Sequence, residues 1–151
     1  MPPLQDFYVR EAGRRDLSDL LRLYTHLHDN PVPSIDAGLE NLWAEILNDQ
    51  NHHILLGHVG ETLASSCVAV IVRNLTRGQR PYALIENVVT HPDYRRHGYG
   101  LRVLSAAKEI AVRENCYKIM LMTGSKEPGT LDFYKKAGYS SDEKTAFIQR
   151  L

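Results

Sequence analysis

The chain has 151 residues, 43% of them hydrophobic, and its 18 Lys+Arg balance its 18 Asp+Glu. This length suits a single domain over residues 1–151 with room for a true core, and the neutral charge argues against general binding to nucleic acid or a membrane surface. No apolar run nears the roughly 20 residues of a membrane span, no charged-then-apolar leader is seen, and Cys67 and Cys116 are too few for a disulfide framework, so a cytoplasmic protein is expected.

Phe7-Tyr8-Val9-Arg10 predicts a short first strand. Asp16 predicts the cap of a helix with Leu17, Leu20, Leu21, Tyr24 and Leu27 at spacings of three and four, closed by Asn30-Pro31-Val32-Pro33. Ser34 predicts the cap of a second helix with Ile35, Leu39, Leu42, Trp43 and Ile46 on one face. Residues 53–59 and 62–72 predict two strands, and the Gly60-Glu61 connection suits a tight hairpin. A polar loop over 73–81 carries Arg73, Arg77 and Arg80. After the central segment, a third helix buries Leu101, Leu104, Ala107 and Ala111 and stops at Asn115, a residue suited to a left-handed end. Residues 117–122 predict a strand, 123–129 a loop, 131–137 a short helix closed by Gly138, and 145–148 a last strand. The order is β-α-α-β-β-β-α-β-α-β. Strands joined both by a hairpin and by helices predict an α/β (α+β) fold with a mixed sheet and helices on its faces.

The stretch from Ala83 to Leu104 organises the rest. Leu84, Ile85, Val88 and Val89 predict a buried strand, which His91-Pro92-Asp93 ends because Pro92 cannot donate to a sheet. Arg95-Arg96-His97-Gly98-Tyr99-Gly100 then leads straight into the third helix. A helix start leaves backbone N–H groups unpaired and carries partial positive charge. Glycines let that backbone approach a ligand closely, and arginines add fixed charge, which together make a phosphate-binding loop. It is not a Walker loop, because no Lys-Ser or Lys-Thr follows the last glycine. Nor is it a dinucleotide fingerprint, because Val103 holds the third glycine's place.

The spacing Arg95-x-x-Gly98-x-Gly100, after a strand carrying Glu86 and Val88, resembles the pyrophosphate-binding motif of the GCN5-related N-acetyltransferase (GNAT) family. Leu131-Asp132-Phe133-Tyr134-Lys135-Lys136-Ala137-Gly138-Tyr139 resembles the same family's segment of an aromatic–tyrosine pair ending in glycine–aromatic. The element order resembles the whole GNAT fold, a mostly antiparallel mixed sheet with helices on both faces, so the likeness covers nearly all of the chain. It implies acetyl-coenzyme A (acetyl-CoA) as donor. The backbone of Arg96, His97, Gly98, Tyr99 and Gly100 would hold the pyrophosphate, with charge from Arg95 at the side. The strand backbone at Val88, Val89 and Thr90 would pair with the pantetheine arm as an added strand does. Thr90 departs from the family's aliphatic residue and puts a hydroxyl close to the arm. Tyr134 matches the family's tyrosine near the sulfur, where a phenol of pKa about 10 can donate to the departing thiolate. Its other reading is a core aromatic, since it shares a helix face with Leu131 and Ala137. The family's asparagine before the last helix is missing here, leaving Ser125 and Lys126 as candidates to replace it. Homodimers are common in the family, and a homodimer is expected, with the terminal strands as candidate edges.

Glu86 is an acid inside an apolar strand. It could take a proton from the attacking amine, directly or through water, if burial raised its pKa; it could also be a structural carboxylate. Asn87 is expected on the opposite face, with no role. The seven histidines show no zinc spacing, so no metal is expected, and the cysteines read as small core residues. The function expected is transfer of acetyl to the primary amine of a small acceptor. Arg77 and Arg80 suit an anionic group on that acceptor, or else belong to a solvated or interface loop. Two other readings compete. A non-catalytic acyl-CoA-binding regulatory module would need the 95–100 loop but neither Glu86 nor Tyr134. A partner-binding domain would use the arginine loop alone.

Overall fold

Strand segments, the central ones buried on both faces, assemble in a computed structural model that describes residues 6–28 and 30–151 into a five-stranded sheet. Its strands are β1 (Phe7–Glu11), β2 (His52–Val59), β3 (Thr62–Val72), β4 (Tyr82–Thr90) and β5 (Ile119–Leu121), lying side by side in that order. β1 to β4 pair antiparallel, and β5 joins β4 in parallel. The helices are α1 (Leu17–Leu23), α2 (Ala37–Asn48), α3 (Tyr99–Arg113) and α4 (Pro128–Lys136).

Alternation along the strands sorts the core into two layers. Leu55, Cys67, Ala69, Ile71, Ala83 and Ile85 pack with Tyr99, Val103, Leu104, Ala107, Ile110 and Ala111 of α3, and Phe133, Tyr134 and Ala137 join them. Ile54, Leu56 and Val68 face the other way, onto Leu17, Leu20 and Trp43 of α1 and α2. Helices therefore cover both faces, and each large side chain fully buried there stabilises the fold by about 1.5–3 kcal/mol.

Several local details differ from expectation, each for a physical reason. α1 stops at Leu23 and tightens into a 3-10 turn over Tyr24–His26. Asp16 does not cap it: its carboxylate accepts two hydrogen bonds from Arg10, both at 2.7 Å, and one from the Gly13 N–H at 2.6 Å. Asp36, not Ser34, caps α2 by accepting from the Leu39 N–H at 2.8 Å, which leaves Ile35 exposed outside the helix. α3 buries Val103 and Ile110, while Leu101 is only partly covered. Asn115 does close α3 at φ 62°. α4 begins at Pro128, because proline suits the first helical position. The strand expected over 145–148 is not formed: residues 140–151 are all exposed and carry no strand. Strand propensity holds no structure without a partner edge to pair with.

The Arg10–Asp16 pair ties β1 to the start of α1. Hydrogen bonding from Arg10 holds the Asp16 carboxyl below its ordinary range, against the opposing effect of burial. A depressed folded-state pKa contributes stability above the unfolded value and loses it as pH falls through the folded one. Arg10→Ala is expected to cost about 1–2 kcal/mol at pH 7, toward the low end for a charged hydrogen bond because Arg10 is partly solvated. In urea titrations, the gap between wild type and variant should narrow as pH drops from about 5 toward 3.

Candidate active site

β4 is the spine of the site. It pairs with β5 only through Ala83, Leu84 and Ile85. From Glu86 to Thr90 the edge of β4 on that side has no strand beside it among the described residues. An unpaired edge presents alternating N–H and C=O groups to any extended chain that can lie along it.

A bulge sits where pairing with β5 ends. Val68 is opposite Glu86 and Ser66 is opposite Val89, so Cys67 faces two residues, Asn87 and Val88. Asn87 takes φ 50°, in the left-handed region that asparagine tolerates. The extra residue breaks the alternation. Glu86 shares a face with Val68, which packs on the α1–α2 side. Asn87 lies close enough to Tyr24 to oppose the burial that pushes its phenol up to about 12, and Tyr24 also packs on that side. Val88 then packs against the α3–α4 layer. Glu86 and Asn87 thus point toward the same helical layer, which corrects the expectation that Asn87 faces away. Glu86 is exposed rather than buried.

Beyond Thr90 the chain turns through a 3-10 segment over Pro92–Tyr94, with the His91 Nδ1 accepting from the Asp93 N–H at 3.1 Å. Arg95 Nε donates to the Thr90 carbonyl at 3.1 Å, which anchors its positive charge at the strand end. Arg96 and Gly98 take φ 65° and 80°, and α3 follows directly. Gly98 is the N-cap and offers no side chain, so the first N–H groups of α3 are left to a ligand or water. A Cβ on Gly100 would stand 3.0 and 3.2 Å from Phe133 ring atoms and 3.3 Å from Thr90 Oγ1. The end of β4, the start of α3 and α4 converge there without spare room. The Tyr99 side chain is 2% exposed and stacks on Phe7 at 4.4 Å, so only its backbone can serve a ligand. The half-buried His97 ring lies against Tyr99 at 5.5 Å. The Thr90 hydroxyl, expected near the arm, is bonded to the buried Ser65 Oγ at 2.9 Å.

Tyr134 stands on α4, with ring centroids 5.0 Å from Phe133 and 6.4 Å from Tyr139. Burial raises its phenol above the ordinary 10.0, so it keeps its proton at neutral pH. Ser125 builds the turn into α4: its N–H donates to Thr123 Oγ1 at 3.1 Å and its Oγ accepts from the Glu127 N–H at 3.2 Å. Lys126 beside it is exposed. The Cys67 thiol, pushed up to about 12 by burial, is no nucleophile at neutral pH.

Arg77 and Arg80 are not brought to this cleft within one chain. They precede β4, whose nine residues put them roughly 25 Å from the 95–100 loop. Arg80 donates to the carbonyls of Asn115 and Cys116, and Arg77 lies over the Tyr117 ring at 5.8 Å. Sequence reasoning passed over Asn87, Tyr24 and the pair His26–His91, whose rings meet at 4.6 Å and join the turn after α1 to the start of the loop. The one usable signal was an asparagine inside a β-branched run, a poor strand former that marks a bulge.

The pattern of the acetyltransferase (GNAT) family matches residues 17–139. Glucosamine 6-phosphate N-acetyltransferase of Trypanosoma brucei brucei is 31% identical over 149 residues, covering 95% of this chain and 96% of that protein. A solved Agrobacterium tumefaciens str. C58 protein described as an acetyltransferase superposes with a TM-score of 0.87 at 35% identity, covering 95% of this chain and 99% of that one. An acetyltransferase structure from Trypanosoma brucei superposes at 0.81 with 26% identity, covering 96% and 100%. The site fits the donor that this family uses: an open strand edge for an extended arm, a helix start left uncapped by any side chain for a pyrophosphate, and a glycine where a Cβ would crowd Phe133. The chain therefore belongs to the GNAT family and is an acetyl-CoA-dependent N-acetyltransferase.

Proposed function

We propose that residues 1–151 form one acetyltransferase domain that moves the acetyl group to the primary amine of a small anionic acceptor, an amino sugar phosphate of the glucosamine 6-phosphate kind, and that it works in the cytoplasm as a homodimer. The observation that carries the acceptor is the 31% identical relative named for that substrate and aligned along 95% of the chain.

Bound acetyl-CoA supplies an acetyl group activated as a thioester. Backbone amides over residues 96–100 hold the pyrophosphate, assisted by the Arg95 charge at the end of β4. The free edge at Val88, Val89 and Thr90 orients the arm by strand-like pairing. The amine attacks the acetyl carbon directly, and Tyr134 donates its proton to the departing sulfur. Glu86, on the solvent-open side of β4, takes the amine's proton directly or through water. Glu86→Gln should therefore lower the rate most at pH 6–7, where the amine is mostly protonated. A wild-type pH profile in that variant would leave water as the base.

Thiol release measured with glucosamine 6-phosphate and with glucosamine tests the acceptor. The phosphorylated sugar should exceed the neutral one in kcat/KM at least about tenfold, the worth of one charge-assisted hydrogen bond. Equal rates on both would end the anionic reading. Arg77 and Arg80 stay in this proposal only through a second copy whose cleft faces them.

A further inference from the structure

Two adjacent serines are fully buried in β3, and they are used differently. Ser66 is 0% exposed and donates to the Leu55 carbonyl at 2.8 Å, a bond that only ties β3 to β2. Ser65 is also 0% exposed but makes two contacts across to β4. Its Oγ donates to the Val89 carbonyl at 3.0 Å and lies 2.9 Å from Thr90 Oγ1. A carbonyl can only accept, and a hydroxyl has a single proton to give. Ser65 spends its proton on Val89, so Thr90 is the donor in the second bond. The groups form a relay with one direction, from the Thr90 O–H through Ser65 Oγ to the Val89 carbonyl. Thr90 Oγ1 is thereby left as an acceptor, with no donor supplied to it among the described residues.

That oxygen stands in the donor site. Thr90 is the last residue of β4 and is half-buried. The His91 N–H after it donates to the Ala64 carbonyl on the β3 side at 2.8 Å. By strand alternation the Thr90 N–H therefore faces the edge that β5 leaves unpaired. Arg95 Nε already holds the Thr90 carbonyl there. Thr90 Oγ1 is also 3.3 Å from where a Cβ on Gly100 would stand, beside the Phe133 ring. The hydroxyl whose proton is turned inward thus lies where β4, the start of α3 and α4 meet. The pantetheine arm of the donor carries amide N–H groups and a hydroxyl, all of which can donate.

We propose that Ser65 is a positioning residue for donor binding: it touches no ligand, but it fixes the Thr90 hydroxyl as an acceptor for an N–H or O–H of the pantetheine arm. This rests on the reading above that the arm lies along the free edge of β4. The relay matters through its direction. With Ser65 present, the Thr90 proton is committed to the interior and its lone pairs face the ligand. Without Ser65, the Thr90 O–H has no inner acceptor and turns toward the cleft, where a donor meets a donor.

The test is calorimetry on full-length variants, each with a thermal melt. The probes are acetyl-CoA and adenosine 3′-phosphate 5′-diphosphate, which keeps the diphosphate and lacks the arm. Ser65→Ala should weaken acetyl-CoA binding about threefold to tenfold, the net worth of one hydrogen bond, and leave the armless probe unchanged. Thr90→Val should lose as much, and Thr90→Ser should keep wild-type affinity. Ser65→Ala/Thr90→Val should bind no worse than Thr90→Val alone, because a relay without its outer hydroxyl has nothing left to orient. Ser65→Cys, a weak donor and acceptor, carries the same test if Ser65→Ala does not fold. Wild-type affinity in a folded Ser65 variant would overturn the proposal. So would equal losses for both probes, which mark a general disturbance of the end of β4, or additive losses in the double variant. Hydrogen exchange at the Thr90 amide in the wild-type chain separates the proposal from the reading beneath it. Protection by acetyl-CoA and not by the armless probe is expected. Protection together with an unaffected Ser65→Ala chain would overturn the relay alone. No protection would overturn the placement of the arm, and the relay with it.

Discussion

Gly100→Val is expected to weaken acetyl-CoA binding at least tenfold in a chain that still folds. Gly100 is the second residue of α3 and has ordinary helical backbone, so valine does not strain the helix itself. The cost falls on its neighbours. A Cβ alone would press to 3.0 Å from the Phe133 ring and 3.3 Å from Thr90 Oγ1. An isopropyl group goes further and drives α4 away from the start of α3, moving Phe133 and the adjacent Tyr134 together. Gly98→Ala separates packing from backbone strain. Nothing lies within 4 Å of its Cβ position, but its φ of 80° is one that L-residues avoid, at a cost of about 1–2 kcal/mol. Calorimetry with acetyl-CoA, beside a thermal melt of each variant, makes the comparison. Unchanged affinity in a folded Gly100→Val chain would remove the start of α3 from the site.

Tyr134→Phe should lower kcat by roughly 10²-fold, the usual worth of one positioned proton donor, with little change in acetyl-CoA affinity. Burial raises this phenol above 10.0. A donor works while it is protonated, so its contribution is complete at neutral pH and is lost only as pH rises through that raised value. The wild-type rate should therefore hold into mildly alkaline solution, and the alkaline decline should disappear in the variant. The phenylalanine keeps the ring that packs into the α3–α4 layer, so stability changes little. A folded Tyr134→Phe enzyme with wild-type kcat would reduce Tyr134 to a core aromatic.

The parts of this fold that local chemistry governs were legible from residue order. Residues 53–59 and 62–72 were legible as β2 and β3, and Gly60-Glu61 as their tight connection, with Gly60 observed at φ 59°. Three- and four-residue spacing marked α1, α2 and α3, and the glycines and arginines of 95–100 marked the phosphate loop before any packing was known. Each of these depends on residues a few positions apart. What needed the assembled sheet depends on partners far away in sequence. Asn87 changes face because β3 has one residue fewer opposite it, and nothing within β4 reveals that count. Glu86 is exposed in the part of β4 that β5 leaves unpaired, whereas a run such as Leu84-Ile85-Glu86 reads as buried. Asp16 is drawn from capping by Arg10 across the chain turn, since two charge-assisted bonds outweigh one cap. Arg77 and Arg80 fall at the far end of β4 simply because a strand has length. Residues 145–148 have the composition of a strand and form none, because composition fixes no pairing: whether a segment is seated on an edge is decided by the assembled sheet, and these residues pair with none of its strands.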